Sequence, residues 1–377
     1  MNFIRENIVK IVALLVIAVI VIIVAVACSG GGTPTDDASG YIEMENKLQA
    51  AAIKYVKKNP SLLPRTVDKS RKIRLDTLIN NKYLSEFHAI EDGNISCTGY
   101  VEIIKKSEDK DTYRYTPYIK CGKYYQTKTI GDYIKSNEDV VVTGEGLYEQ
   151  GDKYYFKGEY PKNYIMLGER LYRIIEITEE NNLKLISTVK TKNSYVWDNR
   201  FNTEKSDYIG INNFSKSRLK ESLDFLYNNT DEDEGEVFFS ETEKDYIIEH
   251  DFCVGKRSQM DVTINSPSEC QETLPMKVGV ISLNEYYRTS VAAGCTSIDK
   301  QECNNYNYLF SFNSGNNKFM TSIGNKEDTY NFYYIYYGEL ELKKTFAETN
   351  LYPVIYINSN ILYKSGSGTE EDPYIVR

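Results

Sequence analysis

Six of the seven cysteines fall into three pairs whose members lie close together in the sequence. The pairs are Cys97 with Cys121, Cys253 with Cys270, and Cys295 with Cys303. Each pair can close a modest loop, and paired cysteines belong to oxidising compartments. We therefore predict three local disulfides in a chain that leaves the cytoplasm. The spacing alone leaves other pairings, and six free thiols, open.

The seventh cysteine, Cys28, ends an apolar segment at the N-terminus. Arg5 and Lys10 precede an uncharged run over residues 11–27. A run of this length can just span the roughly 30 Å hydrocarbon layer of a bilayer. Because cytoplasmic flanks carry an excess of Lys and Arg, the chain after the run should face outward. We predict a signal or membrane anchor at residues 1–28 and a bulk that is extracytoplasmic at the cell membrane.

The end of this run, Ala-Val-Ala-Cys at residues 25–28, resembles the lipobox of bacterial lipoproteins, in which the cysteine sulfur carries the lipid. Ala25 stands where lipoboxes usually have Leu, and a run rich in Val and Ile also suits an uncleaved transmembrane helix. The sequence therefore allows lipid attachment at Cys28 or a retained single-pass helix. Residues 29–40 have the Gly, Ser, Thr and Asp content of a flexible linker.

Charge and size limit the function classes. The chain has 377 residues and a formal net charge of -9. A surface of this sign repels nucleic-acid phosphates, so we expect no nucleic-acid partner. The length beyond the anchor suits two domains with cores of their own.

The first predicted domain, residues 41–134, is small and α+β. Residues 41–58 place apolar side chains on one helical face, and Asn59-Pro60 ends that helix. Two runs of β-forming residues, at 100–105 and 113–125, each carry one cysteine at their margins. A disulfide between neighbouring strands is the natural arrangement.

The second predicted domain, residues 140–377, is larger and β-rich. Residues 170–177 and 183–189 flank a polar turn and predict a hairpin. Residues 214–226 predict a helix, and residues 332–342 and Val354–Ile357 predict strands near the end. The overall fold class is α+β.

Residues for catalysis or metal binding are scarce. The two histidines, His88 and His250, lie in different predicted domains, and neither a CxxC nor an HExxH pattern occurs. We predict no catalytic residue, no metal site and no cofactor. Clustered aromatic rings instead suit stacking on a sugar or anchoring of a protein partner. The contact candidates are Trp197, Phe319, Tyr333, Tyr334 and Tyr336.

Much of the second domain resembles a family. Residues 144–186, with Gly-Leu-Tyr, a Tyr-rich strand and Pro-Lys-Asn-Tyr-Ile, resemble a module of uncharacterised membrane-anchored surface proteins of Gram-positive-type bacteria. The C-terminal pattern from residue 352 is similar to modules of the C-type-lectin and formylglycine-generating-enzyme fold. The resemblance implies a C-type-lectin-like domain that binds a surface glycan or protein ligand.

Two other functions remain open. The chain can be a structural or accessory component of a pilus-like or secretion apparatus. It can also be an enzyme of the formylglycine-generating type, whose chemistry needs a redox-active or copper-binding cysteine pair, for which Cys295 and Cys303 are the candidates. We expect a ligand-binding or adhesion protein rather than an enzyme, because the looped spacing of these two cysteines favours a disulfide.

Overall fold

The computed structural model describes residues 36–67, 69–106, 110–202, 209–311 and 318–377. The chain divides into two compact units between Thr127 and Lys128. Each unit combines helices with a mainly antiparallel sheet, so the predicted α+β class is confirmed. The predicted anchor at residues 1–28 lies outside the described residues, and the predicted linker is described only from Asp36.

The first unit contains one long helix and a four-stranded antiparallel sheet. Its elements are α1 (Asp36–Lys58), a 3-10 turn (Pro60–Leu62), β1 (Ser70–Arg74), α2 (Leu75–Asn80), β2 (Thr98–Lys105), β3 (Tyr113–Cys121) and β4 (Tyr125–Gln126). The strands lie in the order β1-β2-β3-β4. Leu48, Ala52 and Val56, four residues apart on α1, share a buried cluster with Val101 and Ile103 of β2.

Helix α1 differs from the prediction at its start. It begins at Asp36 instead of residue 41, and so takes in part of the predicted linker. Its end at Lys58 is as predicted, because Pro60 removes a backbone donor and disfavours helix in the residue before it.

The second unit contains most of the strands. Its helices are α3 (Ile130–Asn137), α4 (Arg218–Asn228), α5 (Glu241–Tyr246), α6 (Leu283–Tyr287) and α7 (Tyr308–Ser311), with 3-10 turns at Phe214–Lys216, Pro267–Cys270 and Gln301–Asn304. Its first strands are β5 (Gly146–Gln150), β6 (Lys153–Lys157), β7 (Tyr164–Leu167), β8 (Arg170–Ile177), β9 (Leu183–Ser187), β10 (Ser194–Val196), β11 (Ile247–Ile248) and β12 (His250–Cys253). The later strands are β13 (Lys256–Arg257), β14 (Thr273–Met276), β15 (Val278–Gly279), β16 (Lys318–Asn325), β17 (Asn331–Tyr336), β18 (Glu339–Lys344), β19 (Glu348–Asn350), β20 (Val354–Ile357), β21 (Tyr363–Ser365) and β22 (Tyr374–Val376).

A large sheet forms the centre of the second unit. Its main order is β11-β20-β9-β8-β7-β22-β21, and β5, β6 and β15 pair at its margins. The predicted hairpin is confirmed, because β8 and β9 pair antiparallel. The C-terminal strand β22 returns beside β7 and runs parallel to it.

A smaller sheet, β13-β16-β17-β18, carries the aromatic-rich part of the chain. The sequence predicted a single strand over residues 332–342. This prediction is wrong, because the segment folds into a tight hairpin of β17 and β18. Tyr337 and Gly338 form its turn, with φ of 50° and 78°. Positive φ at both central residues is the signature of a type I′ turn, whose twist matches that of the flanking strands.

Helix α3 lies where the sequence placed the domain boundary, between residues 134 and 140. Ile130 and Ile134 are buried in the core of the second unit. The backbone N–H of Ile130 also donates to the carbonyl of Ile361 at 2.8 Å. The helix therefore belongs to the second unit, where its apolar side finds its partners.

Buried charges join the large sheet to α6. Lys184 on β9 pairs with Glu285 on α6, and Arg288 pairs with Glu176 on β8 at 2.7 Å. Burial opposes ionisation of Glu285, but the charges of Lys184 and Arg288 outweigh it and lower the pKa of this carboxyl. Removing one partner would leave an unpaired buried charge, at a cost of about 3–5 kcal/mol.

All three predicted cysteine pairs are bonded. Cys97–Cys121 joins the start of β2 to the end of β3, and Cys253–Cys270 and Cys295–Cys303 close loops in the second unit. In the described part of the chain, no helix has both the length and the apolar character needed to cross a bilayer.

We predict that both disulfides of the second unit stabilise it, and that the one closing the longer loop contributes slightly more. They span 17 and 8 residues, respectively. Replacing Cys253 and Cys270 by Ala should lower the free energy of unfolding by about 3 kcal/mol, and replacing Cys295 and Cys303 by about 2.5 kcal/mol, because the shorter loop restricts the unfolded chain less. Urea unfolding followed by fluorescence measures both. Alkylation of the six cysteines in the unreduced, denatured protein would contradict the pairing.

Candidate functional site

The sequence-predicted contact residue Trp197 lies in the core. It is fully buried, and its ring lies between Phe214 and Phe332 at centroid distances of 5.7 Å each. Its indole Nε1 donates to the carbonyl of Thr321 at 3.0 Å. A ring with no exposed surface cannot stack on a ligand, so Trp197 is a core residue and not the contact residue that the sequence predicted.

Phe319 and Tyr333 are also core residues. Both are nearly fully buried, and the Tyr333 hydroxyl donates to the carbonyl of Arg257 at 3.2 Å. In a strand, alternate side chains point to opposite faces, so Tyr333 faces away from its neighbours Phe332 and Tyr334. The sequence run of aromatic residues therefore divides between a buried face and a second face.

The second face of β17 forms one side of a groove. Phe332, Tyr334 and Tyr336 share this face because they alternate along the strand. Lys318 lies directly opposite Tyr336 on β16, and Lys343 opposite Phe332 on β18. Directly opposed residues of antiparallel strands share a face, so the lysines flank the rings.

The other side of the groove comes from the strand pair β10 and β19. The volume of the groove is about 600 Å³, within the range of small-molecule sites. We call it the aromatic groove. Its lining consists of Lys190, Ser194, Lys318, Met320, Phe332, Tyr334, Tyr336, Tyr337, Lys343, Ala347, Glu348, Thr349, Asn350 and Tyr352.

The floor of the groove is fixed and its rim is exposed. Tyr334 is buried at the floor and donates from its hydroxyl to Oγ1 of Thr349 at 3.3 Å. Burial raises the pKa of Tyr334, which keeps this donor protonated. At the rim, Tyr336 and Tyr337 lie edge to face with centroids 4.3 Å apart. The rim therefore offers aromatic surface to a ligand.

Tyr337 is the residue that the sequence prediction missed. It occupies a left-handed backbone conformation and is 40% exposed. For a bulky side chain this conformation costs roughly 1–2 kcal/mol, and Asn or Gly is the usual choice in such a turn. The pair Tyr-Gly between two alternating β-forming runs was the available signal for the turn. A costly residue that also lines a groove is a reason to suspect function.

Three lysines bring positive charge to the rim. The Lys318 ammonium lies 5.0 Å from the ring centroid of Tyr336, and that of Lys343 lies 5.5 Å from the same centroid. Lys343 also pairs with Glu341 at 2.6 Å. Within the described residues, neither Lys190 nor Lys318 has an ion-pair partner.

The other residues considered for chemistry do not come together. His88 belongs to the first unit, whereas His250 stacks on Tyr356 in the second. No cluster of metal-ligating side chains occurs among the described residues. Cys295 and Cys303 are bonded to each other, and Cys303 is fully buried. In this oxidised state neither sulfur is a free thiolate.

Comparisons of the chain with protein-family models, with curated proteins and with solved structures find no match. The interpretation of the groove therefore depends on its own geometry. That geometry is suited to binding, since it offers aromatic faces, ammonium groups and hydroxyls around one concave space.

We predict that the single tryptophan reports on the core. Its emission in the native protein should be blue-shifted and resistant to acrylamide quenching, because Trp197 has no exposed surface. Trp197→Phe should lower the free energy of unfolding by about 1–3 kcal/mol through loss of the Thr321 hydrogen bond and of ring volume. Efficient quenching in the native state would contradict this placement.

Proposed function

We propose that this chain is a membrane-anchored extracytoplasmic protein that binds a ligand at the bacterial cell surface through the aromatic groove. The observation that carries the proposal is the pair formed by half-buried Tyr336 and exposed Tyr337 at the rim of a concave space. Rings in this position stack on the apolar face of a sugar or on a side chain of a partner.

The proposed location is supported by the sequence and by the disulfides. The apolar run at residues 11–27 with basic residues before it orients the following chain outward. Three bonded cysteine pairs suit an oxidising compartment. Both forms of attachment remain part of the proposal: a lipid on Cys28 or a retained helix.

The finer fold assignment is also a proposal. The similarity of the C-terminal pattern to C-type-lectin-like modules is its support, and such modules include ligand-binding domains. The C-terminal strand β22 pairs with β7 in the large sheet, and strands β16, β17 and β18 of the smaller sheet supply one side of the groove. A site built on strands is held more firmly than one built on loops alone.

We predict that the rim tyrosines determine binding. The full chain in detergent should bind selected glycans on an array, and the double variant Tyr336→Leu/Tyr337→Asn should bind them about tenfold more weakly because stacking is lost. Asn is favoured at the turn position of Tyr337, so the Tyr337→Asn substitution should not lower the thermal stability of the protein. Tyr160→Leu, at a 74% exposed tyrosine outside the groove, is the matched control.

Absence of any glycan binding, together with recovery of apparatus components in a pull-down from native envelopes, would contradict this function. It would favour the structural or accessory role instead. Equal binding by the double variant and the wild-type protein would place the ligand elsewhere on the chain.

We further predict that Cys28→Ser discriminates between the two forms of attachment. If Cys28 carries the lipid, the variant should lose the added acyl mass and its processing before residue 28. If the helix is retained, the intact mass of the variant should change only by the substitution itself. Its fractionation with the membrane should not change. Intact-mass analysis of the native mature chain measures the difference. Recovery of the chain from the cytosol with freely alkylated thiols would contradict both forms of membrane attachment.

A further inference from the structure

We infer that the aromatic groove is selective for an acidic saccharide, a sugar chain bearing carboxylate or phosphate groups. The inference deepens the proposed function and rests on it. It names the chemical class of the ligand from the charges that surround the rim.

The first argument is the local excess of positive charge. The chain as a whole carries a formal net charge of -9. Yet three lysines and one carboxylate, Glu348, line the groove. A second carboxylate, Glu341, lies opposite Tyr334 on β18 and pairs with Lys343, so the local excess of positive charge comes from Lys190 and Lys318. Lys190 and Lys318 are exposed and, in the part of the chain that the structure describes, form no ion pair. Lysines without an ion-pair partner at a concave surface attract anions locally, even though the net charge of the whole chain is negative.

The second argument is the geometry of charge and ring. Two ammonium groups, those of Lys318 and Lys343, lie within 5.5 Å of the ring centroid of Tyr336. A sugar ring stacked on Tyr336 would therefore hold an acidic substituent close to one or both of them. Lys318 is exposed and forms no ion pair among the described residues, so it exchanges hydration for an ion pair at modest cost, whereas Lys343 already pairs with Glu341.

The third argument favours a saccharide over a peptide. The wall opposite the rings offers a hydroxyl from Ser194, a hydroxyl from Thr349 and the amide of Asn350. Groups of this kind suit the many hydroxyls of a sugar, whose other face is apolar and fits an aromatic ring. An acidic peptide needs no such combination, and it becomes an outcome of the test.

The fourth argument is the cost of Tyr337. Its left-handed conformation is unfavourable for a bulky side chain, and the turn alone would be better served by Asn. Among the described residues, Tyr336 packs edge to face with its ring, and the Lys318 ammonium lies 5.6 Å from its ring centroid. A large aromatic side chain at this strained position extends the stacking surface beside the lysines.

The test uses the full chain in detergent micelles and pairs of probes that differ in charge alone. A short oligogalacturonate is compared with its methyl ester, and a phosphorylated mannan oligosaccharide with its dephosphorylated form. We expect at least one acidic probe to bind more tightly than its neutral partner, and its affinity to fall as salt is raised. Lys318→Gln and Lys343→Gln should each weaken that binding about two- to fivefold.

The control variant is Lys344→Gln. This variant removes the same charge from the next position of β18, where the side chain points to the other face of the sheet. The Lys344 ammonium lies 3.9 Å from the ring centroid of Tyr330. Its affinity for the acidic probe should equal that of the wild-type protein. Thermal unfolding of all variants checks that each is folded.

The remaining outcomes separate the two proposals. Equal binding of acidic and neutral probes overturns the acidic class but leaves a glycan-binding groove. Tight binding of an oligoglutamate peptide with no saccharide binding overturns the saccharide but leaves a ligand-binding groove. An equal loss of affinity in Lys344→Gln would show that only net charge matters, and would overturn the assignment to the groove.

Discussion

The packing of Trp197 is the constraint on which the aromatic groove depends. Trp197 directly follows β10, which forms one wall, and its ring stacks on Phe332 of β17, which forms the other. Its indole N–H donates to the carbonyl of Thr321 on β16. One buried side chain thus ties three strands together. The large aromatic area that it buries makes this attachment stable.

Strand β17 contributes one face to the core and the other face to the groove. Tyr333 and Ile335 are buried on one face, whereas Tyr334 and Tyr336 line the groove on the other. The alternation of side chains along a strand allows one short segment to serve both purposes. The turn that follows then adds Tyr337 at the rim, at a cost in backbone energy that the surrounding hairpin absorbs.

The sequence predicted well those features that depend on local pattern. The helix ending at Lys58, the β8–β9 hairpin and the three cysteine pairs were all accessible, because capping, turn residues and short loops act between near neighbours. It predicted the site less well. Of the five aromatic candidates, only Tyr334 and Tyr336 line the groove. Burial of the others depends on packing partners far away in the sequence, as Thr321 is for Trp197.

By itself, the sequence determined the mixed composition of helices and strands, the apolar N-terminal run and the local cysteine loops. Each of these follows from the chemistry of residues that are close along the chain. Only the tertiary structure decided that α3 belongs to the second unit, that residues 332–342 fold back as a hairpin, and that Lys190, Lys318 and Lys343 surround one set of rings. These depend on contacts between distant segments, which neither periodicity nor composition specifies.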